Sequence, residues 1–156
     1  MAVEVLVREA VQNELESSLA SEKIAQTAKK LLSALGSEDK ELSILVTEDE
    51  EIASLNECHR GKSNPTDVLS FSMVEGDGLH GNLHGNLLGD VVISLPTAKK
   101  QAAELGVSLA EEFLRLLIHG TLHLHGYEHE DVEEHLAQEM QQTEEKLYDE
   151  LVEDFC

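Results

Sequence analysis

The chain is 156 residues long and sets 11 Lys and Arg against 32 Asp and Glu, a formal net charge of −21, with 41% hydrophobic residues, 3% aromatics and no Trp. That is enough chain for a single domain over residues 1–156 with a real hydrophobic core, and ten Gly, two Pro and two Cys are too few for a low-complexity, collagen-like or disulfide-scaffold protein. No apolar run approaches the ~18–20 residues of a membrane span, the start Met1-Ala2-Val3-Glu4-Val5 is not a signal peptide, and Cys58 and Cys156 read as free thiols of a reducing cytoplasm.

In chain order, Val3, Val5 and Val7 alternate as a short first strand. Ser21 opens an amphipathic helix with the stripe Ile24, Ala25, Ala28, Leu31, Leu32 and Leu35, closed by Gly36. Leu42, Ile44 and Val46 alternate as a second strand. Thr47 and Glu50 have capping-box spacing, which predicts a helix from there to about Glu57, burying Ile52 and Leu55. Asn64-Pro65 breaks the chain before a third strand over Val68-Leu69-Ser70-Phe71. Residues Glu75 to Gly89 hold five glycines in fifteen residues and a small repeat, Leu79-His80-Gly81-Asn82 and Leu83-His84-Gly85-Asn86, which reads as a mobile surface loop. Val91-Val92-Ile93 forms a fourth strand ended by Pro96, and a short helix runs from about Thr97 to Leu105.

Ser108 with Glu111 is a second capping box and opens a strongly apolar helix through Phe113, Leu116 and Leu117. A last helix carries Val132, Leu136, Met140 and Leu147 on one face. Between Glu128 and Asp154 stand twelve acids and one base, whereas the stretch Arg60 to Gln101 is balanced at four and four. The acidic run reads as a solvated helix face. Strands early and long helices late predict an α+β domain, a small mixed four-stranded sheet covered by helices.

The informative segment is His119-Gly120-Thr121-Leu122-His123-Leu124-His125-Gly126-Tyr127-Glu128-His129. Residues four apart share one helical face, so His119 and His123 are placed to grip one metal ion. Gly126 allows a left-handed turn after the helix, which lets His129 return as a third ligand and leaves a fourth position for water. His125 points to another face. The spacing matches the zinc-protease pattern H-E-x-x-H-x-x-G-x-x-H at its histidines and glycine, but Gly120 stands where the protease keeps its general-base glutamate.

The same segment resembles the H-G-x-L-H-L-x-G-Y-D-H signature of the YbeY endoribonucleases, with Glu128 in place of the family's Asp. Two further blocks agree: Leu55-Asn56 with Arg60-Gly61-Lys62 and Pro65-Thr66-Asp67-Val68-Leu69-Ser70-Phe71, then Leu88-Gly89-Asp90-Val91-Val92-Ile93-Ser94. His59 and Ser72 depart from the family's usual aromatic and proline. The resemblance implies a cytoplasmic, single-strand-specific, metal-dependent endoribonuclease acting in 16S rRNA 3′-end maturation and ribosome quality control. It implies a zinc-protease-like (metzincin-like) architecture, ribosomal RNA and the small ribosomal subunit with its proteins as partners, and neither DNA nor membrane. On that resemblance His119, His123 and His129 match the metal ligands and Arg60 the functionally important arginine.

The expected cofactor is one Zn2+ per chain, with Ni or Fe as alternatives because imidazole suits several transition metals. Metal-bound water or hydroxide would then assist phosphodiester cleavage, and Arg60, expected on a loop, would contact phosphate through its planar fork. Asp67, Asp90 and Glu128 are candidates for orienting the ligands. Two rival readings remain at this level: a metallopeptidase or other metal-dependent hydrolase, and a non-catalytic ribosome-associated metal-binding module. A charge of −21 also sits awkwardly with a polyanionic substrate.

Overall fold

A computed structural model of the chain describes residues 3–12, 20–61, 66–72, 87–125 and 133–155. Four strands, β1 (Val3–Val7), β2 (Glu41–Thr47), β3 (Val68–Ser72) and β4 (Leu87–Ser94), form one sheet in the order β1-β2-β4-β3. β1, β2 and β4 run parallel, and β3 closes the far edge antiparallel to β4. Residues 9–12 are helical, and the helices with described bounds are α1 (Ser21–Ala34), α2 (Asp49–Arg60), α3 (Leu95–Leu105), α4 (Leu109–Leu124) and α5 (Glu134–Phe155). This is the mixed α+β arrangement that the alternation of valines and the helical stripes predict. No helix among the described residues is long and apolar enough to cross a membrane.

Side chains of a strand alternate between faces, so the sheet builds two apolar layers. Leu42, Ile44, Val46, Val91 and Ile93 pack with α1, α4 and α5 into the main core, where Ile24, Leu31, Phe113, Leu117, Met140 and Leu151 are buried. Leu69 and Val92 point the other way and meet Ile52 of α2 in a smaller cluster. Arg8, just past β1, donates from Nε and Nη2 to the Glu51 carboxylate at 3.0 and 3.1 Å and ties the sheet's first edge to α2.

Several boundaries shift. Glu48, not Thr47, caps α2, and Thr47 instead donates its hydroxyl hydrogen to Glu51 one turn along. α2 runs past Glu57 to Arg60 and stops because Gly61 takes the left-handed conformation (φ 71°) that glycine adopts at least cost. Pro96 does not merely end β4. It sits in the first turn of α3, where its missing N–H has no intrahelical partner to lose. Leu87, Leu88 and Gly89 belong to β4 rather than to the glycine-rich loop, whose remaining residues from Glu75, including His80 and His84, lie outside the described residues. On α5, Met140 and Leu147 are buried as expected, whereas Leu136 is 43% exposed, and Val132 lies outside the described residues.

The capping box at Ser108 forms in full: Ser108 Oγ accepts from the Glu111 N–H at 3.1 Å, and the Glu111 carboxylate accepts from the Ser108 N–H at 2.9 Å. That backbone bond, then the Ser108 hydroxyl contact, holds the Glu111 carboxyl below its usual value. Ser108→Ala is expected to lower stability by about 1 kcal/mol in denaturant melts, a typical cap loss. Glu111→Gln should weaken the fold only above the ordinary carboxylate range. As pH falls through the lowered pKa of Glu111 the parent loses the same interaction, and the two unfolding curves should converge.

Candidate metal centre

α4 is the central helix of the fold, and its burial pattern isolates one polar line. From Glu112 to Leu124 every residue is buried except Arg115, His119 and His123. Those three are spaced by four, so they stack along one stripe of the helix. Arg115 donates from Nε and Nη2 to the carboxylate of the buried Glu112 at 2.8 and 2.5 Å. The Glu112 bond, followed by the charges of Asp67 and Glu144, raises the guanidinium's pKa against the effect of its burial.

One and two turns further, the imidazoles of His119 and His123 meet edge to face with centroids 4.6 Å apart and an interplanar angle of 75°. Their Nε2 atoms are 3.0 Å from one another. On the opposite side of its ring, His119 Nδ1 is hydrogen-bonded to the Glu144 carboxylate of α5. An ionised carboxylate only accepts, so Nδ1 carries a proton in this contact and Nε2, the nitrogen that faces His123, is the one through which a neutral ring accepts or binds a metal. Two nitrogens bound to one tetrahedral zinc at ~2.0–2.1 Å would be separated by roughly 3.3 Å. The observed pair fits that requirement to within a few tenths of an ångström and supplies the right donor chemistry.

Among the described residues no group of three His, Cys, Asp or Glu side chains is placed to hold a metal. His129, the expected third ligand, and Glu128 lie outside those residues. His125 is turned elsewhere: its Nδ1–H donates to the Thr121 carbonyl at 2.9 Å, and its Nε2 accepts from the Ser37 hydroxyl at 2.7 Å.

Gly120 has a reason of its own. A Cβ built there would lie 2.9 Å from Val91 Cγ1, 3.1 Å from Val68 Cγ2 and 3.2 Å from Ser70 Oγ. The Ser70 hydroxyl also donates to the Gly120 carbonyl at 2.8 Å. α4 therefore rests directly on β3 and β4 at the residue where a zinc protease carries its glutamate. A carboxylate side chain has no room in that contact.

A family model for Endoribonuclease YbeY matches residues 8–152. Among curated relatives, an Endoribonuclease YbeY of Sulfurihydrogenibium sp. is 48% identical over 122 residues, 78% of this chain and 77% of its own length. One of Aquifex aeolicus is 51% identical over 109 residues, 70% of this chain and 69% of its own. The chain belongs to the YbeY endoribonuclease family. The fold also resembles the solution structure of a Thermotoga maritima protein, with a TM-score of 0.58 and 27% identity, covering 96% of this chain and 88% of that one.

The blocks that carry the YbeY resemblance occupy three neighbouring parts of this fold. Asp67 stands just before β3: its carboxylate accepts from the Val68 N–H at 2.8 Å and from Gln101 Nε2 at 3.3 Å, and so pins the strand's start to α3. Asp90 was expected ahead of a strand but lies inside β4, opposite Ser43 and Phe71. Arg60 was expected on a loop and is instead the last residue of α2, because the glycine that stops the helix comes one position later. Sequence reasoning missed Glu144. Its signal was available: the carboxylate occupies a place in the apolar stripe Met140, Leu147 and Leu151, where a leucine would be unremarkable.

Replacing a helical glycine by alanine normally stabilises by about 1 kcal/mol. At Gly120 the sign should reverse. Gly120→Ala is expected to lose about 1–3 kcal/mol through overpacking against Val91 and Val68, read as a drop in melting temperature. A Gly120→Ala protein more stable than the parent would show that α4 does not rest on the sheet there.

Proposed function

We propose that this chain, as one hydrolase domain over residues 1–156, is a cytoplasmic, single-strand-specific, metal-dependent endoribonuclease. Its proposed place is 16S rRNA 3′-end maturation and ribosome quality control, with ribosomal RNA as substrate and the small ribosomal subunit and its proteins as partners. The observation that carries the reading is the His119–His123 pair, two ring nitrogens 3.0 Å apart on the helix that bears the family's signature. The relatives at 48% and 51% identity are named as endoribonucleases.

In this proposal His119, His123 and His129 hold one Zn2+, with Ni or Fe as the alternatives that imidazole also suits. When bound, the ion supplies Lewis acidity and makes water a usable nucleophile near neutral pH. The chain's own contributions are binding and orientation. The two helical imidazoles present their Nε2 atoms from a rigid, buried helix. Arg60, at the end of α2, is proposed to bind substrate phosphate in two-point contact through its guanidinium. Asp67 holds the start of β3, and so the strand on which Gly120 rests. The histidine helix lying across a mixed sheet supports the kinship with zinc-protease architecture. Peptide hydrolysis by the protease route is opposed by the packing at Gly120, which excludes its base.

The test pairs metal content with cleavage of single-stranded RNA and of casein, with and without chelator. The parent protein should carry about one transition metal per chain and lose RNA cleavage on chelation, with casein untouched. His123→Ala should release the ion, while His125→Ala, altered in a ring bonded to Ser37 and Thr121, should keep it. Full metal occupancy in His123→Ala would sink the ligand assignment.

Arg60→Ala separates chemistry from folding. It should keep its metal and melting temperature and lose RNA cleavage by roughly 10²–10³-fold if the guanidinium stabilises developing charge. Arg60→Lys should recover only part of that activity. Normal cleavage by a stable Arg60→Ala protein would remove the residue from the site.

A further inference from the structure

We propose that Glu144 is the positioning residue of the metal centre, holding the His119 ring by its Nδ1 proton so that Nε2 faces the ion. The inference rests on the reading of His119 and His123 as ligands. It assigns a role to a residue 25 positions away on a different helix.

Three observations converge on it. First, the contact is made to the correct nitrogen. Glu144 reaches Nδ1, while Nε2 of the same ring looks toward His123. A carboxylate on the far side of a ligating imidazole fixes its tautomer and orientation and makes it a stronger donor. The same geometry rules Glu144 out as a substitute for the protease's general base, because the ring stands between it and any ligand at Nε2.

Second, the carboxylate is held in place. Met140 and Leu147 flank it on α5 at helical spacing and are only 1% and 4% exposed, which fixes the rotation of the helix and turns Glu144 toward α4. Both side chains of the His119–Glu144 pair are 21% exposed, so water competes little for the bond. Arg115 lies one turn before His119 on the same stripe, is locked to the buried Glu112, and is electrostatically coupled to Glu144. Glu112, Arg115, Glu144 and His119 thus form an alternating series of charges and donors that ends at the metal-facing ring.

Third, the position is anomalous for a solvated acid. A charged group in the apolar stripe of a helix gives up packing that leucine would supply, so it stands there for the bond it makes. The exposed acids of the same helix, such as Glu139, Glu145 and Glu150, occupy no such place.

The experiment compares the parent with Glu144→Leu and Glu144→Gln. Metal-free protein of each is titrated with Zn2+ in competition with a chromogenic chelator, and each metal-free form is melted. Glu144→Leu should bind Zn2+ 10–100-fold more weakly, the range seen when such partners of a ligand are removed, while its metal-free form melts at or above the parent. Glu144→Gln keeps an oxygen that accepts from Nδ1–H and should fall between the two. Zn2+ affinity in Glu144→Leu equal to the parent's would overturn the proposal. So would a metal-free Glu144→Leu that melts far below the parent, since the carboxylate would then serve the fold. A parent that takes up no Zn2+ would remove the ligand reading itself, an outcome distinct from either.

Discussion

The bare backbone of Gly120 pressed onto β3 and β4 is the contact on which the rest of the structure depends. With no Cβ, the helix approaches until Val91 and Val68 fill the space a side chain would take, and Ser70 bonds to the helix's own carbonyl. Successive residues of an α-helix are rotated by roughly 100°. Seating Gly120 on the sheet therefore turns its neighbour His119, and with it His123 one turn on, off the sheet and toward the edge of the contact. The same requirement separates this chain from the proteases whose histidine spacing it shares. A helix this close to its sheet has no place for the glutamate that those proteases use as their base.

The net charge of −21 becomes easier to understand once the acids are placed. Most of the acids described on α5 are exposed and form a like-charged face that repels a polyanion. Glu144 is the exception, spent on a ring nitrogen rather than on solvent. Lys99 and Lys100 are exposed on α3, in the stretch where acids and bases balance. A divalent cation at the histidine pair, as proposed, reverses the local sign where a phosphate has to approach. On that proposal the acidic face of α5 would repel the substrate while the metal centre attracts it.

What the sequence made legible was local. Alternating apolar residues marked β1 and β2, the Ser108–Glu111 box marked the start of the key helix, and a spacing of four put His119 and His123 on one face. Each of those signals lies within a few residues of its consequence. Less legible were the features decided by distant partners. Asp90 falls inside a strand because β4 begins earlier than its valines suggest, among glycines that read as loop. Arg60 closes a helix because Gly61, not the Asn64-Pro65 break, stops it. Gly120 looked like a missing base, and only the valines and serine beneath it show it to be a packing residue.

Glu144 was hidden for the same reason, and its case shows how fold and site are joined here. Beyond the shared core, α5 meets α4 through three named side chains: Tyr148 donates to the Glu111 carboxylate of the capping box at 3.3 Å, Phe155 stacks on Phe113 at 6.3 Å, and Glu144 reaches His119. The first reinforces the start of the histidine helix, the second fills the core beneath it, and the third fixes a ring that the helix presents. The two helical histidines are brought together by local geometry alone, which nothing distant is needed to create. Their orientation is not local, because the His119 ring is held by a carboxylate on a distant segment that the core between α4 and α5 keeps in place. A long acidic helix at the end of such a chain is thus more than a solubilising tail: one face makes the hydrophobic contact that seats it, and one carboxylate in that face carries the contact through to the site.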